Sequence, residues 1–149
     1  MNAGALCNRN VVTATRETSI SAAARLMRDR HVGSLIITEK RDPDIEPVGI
    51  LTDRDIVVEV LAEDVDPNIV TVGDIMTSAV LKINENDSIL ETAQRMRARG
   101  VRRVPVVSNQ CELVGVLAQD DILGLLSEEL SLLVKLTVRE AEQEAKKRP

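Results

Sequence analysis

Two copies of a strand–helix–strand–strand–helix unit, followed by a C-terminal helix, make up the α+β fold that this 149-residue sequence predicts. Three observations carry it. Residues 11–38 align without gaps on residues 80–107, with Ser19 matching Ser88, Ile20 Ile89, Ala24 Ala93, Met27 Met96 and Val32 Val101. After a turn that differs in length, Gly49, Asp55 and Ile56 meet Gly115, Asp121 and Ile122, which is a duplication and not a solenoid. The chain is 44% apolar but has no Phe, Tyr or Trp, so its interior must be packed from aliphatic side chains and Met.

Each element follows from local pattern. In the first unit Val11, Val12 and Thr13 read as a short strand. Thr18 or Ser19 caps a helix with Ile20, Ala23, Ala24 and Met27 on one stripe, and Gly33 is its expected exit. Residues 34–38 and 48–51 read as two strands joined by a polar turn over 39–46 that contains Pro43. Thr52 or Asp53 then caps a second helix carrying Ile56, Val57, Val60 and Leu61. Residues 63–68 form an acidic loop, and 71–76 read as a short linker turn. The second unit repeats the order, with a strand over 80–83, a helix capped at Asp87 or Ser88 and ended by Gly100, strands over 104–107 and 113–117, and a helix from Asp121. Pro105 lacks an N–H, which suggests an edge strand or a strand start. From about residue 127 to 147 the chain reads as a helix whose apolar stripe fades toward the end, free to pack on its own module or on a second subunit. The boundaries expected are 1–66 for the first repeat with its N-terminal segment, 67–127 for the second with its linker, and 128–149 for the tail helix.

Composition narrows function. A net charge of −5 and the absence of aromatic rings argue against a phosphate-backbone footprint or base-stacking platform, so no nucleic-acid partner is expected. No apolar run approaches the ~20 residues of a membrane span, and residues 1–10 lack signal-peptide character. A cytoplasmic protein without a membrane partner is the expectation. Cys7 and Cys111 lie far apart and read as reduced thiols. His31 is the only histidine, reads as a helix-end residue, and leaves no metal cluster or histidine-based nucleophile. No nucleophile–base pair and no Gly-x-x-x-x-Gly-Lys loop is present, so no catalytic residue is expected.

The element at Gly49-Ile50-Leu51-Thr52-Asp53-Arg54-Asp55 points elsewhere. A strand ending in Thr-x-x-Asp at a helix start gathers a hydroxyl, free backbone N–H groups and a carboxylate. N–H and hydroxyl donors suit a phosphate, and the carboxylate accepts from vicinal hydroxyls. That combination matches a nucleotide. Arg54 is a further candidate phosphate contact; Asp55 and Asp121 also fit the plainer role of first-turn acids, Thr52 that of a cap, and Arg54 that of an exposed helix-start residue.

The repeated unit, with its hairpins Leu35-Ile36-Ile37/Val48-Gly49-Ile50 and Val104-Pro105-Val106-Val107/Leu113-Val114-Gly115-Val116 and the Asp74-Ile75-Met76 ahead of the second copy, resembles a CBS domain. The pair resembles a Bateman module over residues 11–126. The resemblance implies two β-α-β-β-α repeats related by a pseudo-twofold, two clefts between them, frequent pairing into a homodimer, and binding of AMP, ADP or ATP, or in some members of S-adenosylmethionine or an NAD-type ligand. It places Asp55 and Asp121 on ribose hydroxyls and Thr52 on phosphate or ribose, where its counterpart Ala118 departs from the pattern. Arg102 and Arg103 would meet an anionic tail, although such a pair also fits solvated surface charge. Val11, Thr13, Val32 and Ser34, and in the second copy Val80, Lys82, Val101 and Pro105, would line base pockets; Lys82 equally fits a solvent-facing strand position. No cofactor is required on this reading. A sensor module would pass its signal to a separate, unidentified effector protein. The competing reading is an interaction or dimerisation scaffold with a degenerate cleft.

Overall fold

The computed structural model describes residues 1–148. Its elements are α1 (Ala3–Leu6), β1 (Thr13–Ala14), α2 (Ile20–Arg30), β2 (Ser34–Arg41), β3 (Asp44–Thr52), α3 (Asp53–Ile56), α4 (Val72–Ile75), β4 (Ile83–Asn84), α5 (Ile89–Arg99), β5 (Arg103–Val107), β6 (Leu113–Ala118) and α6 (Gln119–Lys147). α3 runs on as one π-helical turn, Val57–Leu61. Two three-stranded sheets result, ordered β1-β2-β3 and β4-β5-β6, each with a parallel first pair and an antiparallel hairpin. The predicted α+β class and the duplicated unit are both present.

Helix caps follow the sequence closely. The Ser19 side chain accepts from Ala22 N at 3.1 Å, and the Ser88 side chain from Glu91 N at 3.2 Å. Gly100 ends α5 in the left-handed region at φ 65°, as expected. In α2 the left-handed residue is His31, at φ 54°, and not Gly33, because the helix ends at Arg30, three residues before the glycine.

Other boundaries differ. The strands expected over 11–13 and 80–83 shrink to two residues each, although Val12 O still accepts from Ile36 N at 3.1 Å. The polar stretch 39–46 is mostly strand: β2 and β3 pair out to Arg41 and Asp44, leaving only Asp42 and Pro43 at the tip. Pairing along a hairpin satisfies backbone groups even where every side chain is polar. Pro105 lies in the central strand of its sheet, not at an edge or a strand start. This is tolerated because β4 reaches only Val106 and Val107, so no ladder bond on that side needs the missing N–H. The linker over 71–76 holds a helical turn, α4, whose Asp74 Oδ2 accepts from Thr71 N at 2.9 Å. The last helix starts at Gln119 and continues unbroken through the expected start near 127.

The two hydrophobic cores are pinned by each other's leading segment. Val72 and Met76, which precede the second repeat, pack with Ile20, Leu35, Ile37 and Leu51 of the first. Ala3, Leu6 and Cys7, which precede the first repeat, pack with Ile83, Val104, Val106 and Leu117 of the second. Reciprocal backbone pairs lock both crossings: Ile50 with Thr77 at 3.1 and 3.2 Å, and Asn8 with Val116 at 2.8 and 2.9 Å. This explains the glycine in each hairpin. A Cβ on Gly49 would stand 2.6 Å from Met76 Sδ, and one on Gly115 2.6 Å from Cys7 Sγ and 2.7 Å from Asn8 O. The crossing strand lies where a side chain would be. Burial pushes the Cys7 thiol above its ordinary pKa, which keeps it a packing group.

Candidate functional site

The N-terminal crossing also builds a cleft of about 280 Å³ between the repeats. One wall is the first repeat: Val11 and Val12, then His31, Val32, Gly33, Ser34 and Ile36. The other is the second repeat: Arg103, Val116, Ala118 and Asp121. Asn8 and Asn10 close it from the crossing segment. An apolar wall thus faces a guanidinium and a carboxylate.

The carboxylate is positioned by the helix it starts. Asp121 Oδ2 accepts from Ala118 N at 2.8 Å, which leaves Oδ1 without a hydrogen bond to the described residues and able to accept from a ligand hydroxyl. In the first repeat, Asp55 Oδ2 accepts from Thr52 N at 2.9 Å and Thr52 Oγ1 accepts from Asp55 N at 3.2 Å, a reciprocal capping box. Ala118 cannot return that second bond. Capping and ligand contact therefore coexist in the geometry, since a carboxylate has a second oxygen.

Of the residues singled out in the sequence, Val11, Val32, Ser34, Arg103, Ala118 and Asp121 come together in this cleft. They come from different repeats: the first supplies the apolar wall, the second the acid and the cation. Arg102 instead borders a separate 140 Å³ depression with Gln119 and Asp120, which Arg103 and Ala118 also line. Val101 faces a 270 Å³ groove between α5 and α6, beside Met96 and Ile122. Thr13 is exposed, Arg54 is exposed at the start of α3, and Pro105 is buried in β5.

The pseudo-symmetric counterpart, around Thr52, Asp55 and Val80, carries different contacts. Arg99 Nη2 donates to Ala79 O at 3.0 Å, at the position that corresponds to Asn10 in the 280 Å³ cleft. Lys82 Nζ donates to Glu46 Oε1 at 2.6 Å, and Arg95 Nη2 to Lys82 O at 3.0 Å. Lys82 is thus held by a carboxylate of the β2–β3 hairpin and does not stand free in solvent. The Lys82 hydrogen bond, helped by the charges of Lys82 and Arg41 and opposed by burial, holds the Glu46 carboxyl below the usual carboxylate range.

His31, Asn8 and Asn10 were missed by sequence reasoning as lining residues. His31 corresponds to Gly100 in the repeat, a departure visible in the alignment. The asparagines reach the cleft only because the N-terminal segment crosses to the second repeat, and no local pattern announces that. Among the described residues no group of three or more His, Cys, Asp or Glu is placed to hold a metal ion, and no helix is long and apolar enough to cross a membrane.

Comparison with known proteins agrees with this architecture. The CBS domain family matches residues 3–62 and 72–128. Hypoxic response protein 1 of Mycobacterium tuberculosis is 39% identical over 128 residues, covering 86% of this chain and 82% of that protein. A crystal structure of Hypoxic Response Protein I with two coordinated zinc ions has a TM-score of 0.70 at 37% identity, over 82% of this chain and 96% of that one. The uncharacterized protein MK0525 of Methanopyrus kandleri is 33% identical over 83% of this chain, which spans 61% of that longer relative. The CBS domain pair of protein MJ0100, in complex with 5′-methylthioadenosine and S-adenosyl-L-methionine, has a TM-score of 0.74 at 26% identity, over 87% of this chain and 98% of that one. The chain belongs to the CBS-domain family and carries two CBS repeats in tandem.

Proposed function

We propose that this chain is a regulatory module that binds an adenosine-containing small molecule, an AMP, ADP or ATP, between its repeats and acts on a separate partner protein without catalysing a reaction itself. The observation that carries the reading is the composite cleft, where the apolar wall of Val11, Val12, Val32 and Ile36 faces Asp121 and Arg103. The wall receives the base, the free Asp121 oxygen accepts from the ribose, and Arg103 meets the anionic tail. A volume near 280 Å³ lies just under the usual range for small-molecule pockets, so it favours a nucleoside with a short tail. By favouring one arrangement of the two repeats, the ligand shifts the population that the partner or a second copy recognises.

A module for S-adenosylmethionine or 5′-methylthioadenosine is the second reading, favoured by the ligands of the MJ0100 domain pair. Arg103 helps discriminate the two, because a guanidinium favours phosphate, opposes the sulfonium cation of S-adenosylmethionine and gains no charge partner from neutral 5′-methylthioadenosine. Isothermal titration with AMP, ADP, ATP, NAD, S-adenosylmethionine and 5′-methylthioadenosine tests both. Saturable binding of AMP or ADP that weakens at least tenfold in Arg103→Ala supports the first reading. Preference for S-adenosylmethionine or 5′-methylthioadenosine supports the second, and no heat from any of the six rejects ligand sensing in favour of an interaction scaffold.

A further inference from the structure

His31 carries the only aromatic ring in a chain without Phe, Tyr or Trp, and it lines the 280 Å³ cleft. Nothing in the fold asks for that ring. The His31 backbone stands in the left-handed region at φ 54°, where Gly100 stands at φ 65° in the second repeat. The two turns match: His31 N donates to Arg28 O at 3.4 Å and Val32 N to Met27 O at 3.0 Å, as Gly100 N does to Arg97 O and Val101 N to Met96 O, both at 3.1 Å. A Cβ on Gly100 would meet no atom within 4 Å, so this turn leaves no gap that a side chain must fill. His31 is exposed, and among the described residues its ring makes no hydrogen bond or ion pair. A left-handed residue with a Cβ costs conformational energy, and such residues cluster at ligand sites.

We propose that the His31 imidazole stacks on the face of the ligand's base, an inference that rests on the composite cleft being an adenosine site. Placement favours it. His31 precedes Val32 on the wall that Val11, Val12, Val32 and Ile36 form, whereas Arg103 and Asp121 lie on the opposite wall. Arg103 already supplies a cation for an anionic tail from that side, which leaves the imidazole with the base. Aliphatic side chains bury a base without engaging its π face, and an imidazole ring does engage it. One ring is too few for a strand of nucleic acid and enough for a single nucleobase. The equivalent turn of the second repeat has Gly100 and no ring, so His31 sets base affinity in this cleft alone.

The test uses AMP, ATP and 5′-methylthioadenosine, which share a base and differ in tail, with ribose 5-phosphate as the control without a base. His31→Asn keeps a residue that tolerates the left-handed turn and removes the ring. It is expected to bind each adenosine ligand that the wild type binds about fivefold more weakly or worse, while its affinity for ribose 5-phosphate changes by less than about twofold. His31→Phe returns a ring and should recover the wild-type affinity to within about threefold. Proton NMR of the wild-type chain reads the contact directly, because His31 supplies its only aromatic ring signals. The bound adenosine ligand should shift those signals upfield, as the ring current above a base face does, and ribose 5-phosphate should leave them in place. Unchanged affinity in His31→Asn, or imidazole signals that stay put or move downfield as in an in-plane contact, overturns the stacking while the adenosine site stands. Silence of the wild-type chain toward all three adenosine ligands overturns both.

Discussion

Lys82, two residues after the start of the second repeat, donates to Glu46 in the hairpin of the first repeat at 2.6 Å, and Arg41 Nε reaches the other Glu46 oxygen at 2.8 Å. The pair links the repeats where only 15% of the Glu46 side chain and 31% of the Lys82 side chain is exposed. Because Glu46 has a lowered pKa in the fold, its contribution is full above the unfolded glutamate pKa near 4.3 and is lost as pH falls through the lower folded value. Urea unfolding is expected to show Lys82→Met about 1 kcal/mol less stable than the wild type at pH 7. The gap should narrow progressively below about pH 4. A gap that persists undiminished in acid would mean that the pair adds nothing through its charge.

Gly49→Ala and Gly115→Ala each place a methyl group against the crossing segment. Overpacking of this kind costs about 1–3 kcal/mol. Gly115→Ala should be the worse of the two, since it meets the Asn8 backbone oxygen at 2.7 Å, whereas at Gly49 the closest atom belongs to the flexible Met76 side chain. Thermal melts of both variants check the order. Gly115→Ala should also weaken ligand binding more than Gly49→Ala, because Asn8 lines the cleft.

Asp121→Asn and Asp55→Asn separate capping from binding. Both disturb a cap and are expected to lose about 1 kcal/mol of stability. Only Asp121 lines the 280 Å³ cleft, so Asp121→Asn should lower nucleotide affinity at least tenfold while Asp55→Asn changes it less than threefold. Asp74→Asn serves as a control, with the same backbone contact to Thr71 and no cleft. Calorimetric titration at matched protein stability reads the difference.

His31→Gly should stabilise the fold by up to about 1 kcal/mol, because His31 holds a left-handed φ of 54° that glycine adopts without strain, as Gly100 does at the end of α5. The same change removes an imidazole from the cleft wall. A higher melting temperature together with altered ligand affinity is the expected pair of results, and a lower melting temperature would show that the His31 side chain packs favourably despite its exposure.

Ala118→Thr restores the hydroxyl that Thr52 uses to accept from Asp55 N. A completed box at the start of α6 should add about 0.5–1 kcal/mol in denaturant unfolding.

By itself the sequence determined the duplication, the α+β class, the left-handed Gly100 and the two aspartates at helix starts, and it narrowed two helix caps to residue pairs from which the structure selects Ser19 and Ser88. These are local matters: periodicity, caps and turn chemistry act within a few residues, and an internal repeat doubles each signal. Strand lengths were legible less well, since Glu39, Lys40 and Arg41 look like a turn until a partner strand satisfies their backbone. What only the tertiary structure decided is which half of each motif meets which. The segment carrying Cys7 and Asn8 crosses to the second repeat, fills the space above Gly115, and brings Val11 and Val32 to face Arg103 and Asp121. That exchange depends on burying two aliphatic cores against each other's leading segments, a long-range packing choice that no window of neighbouring residues records.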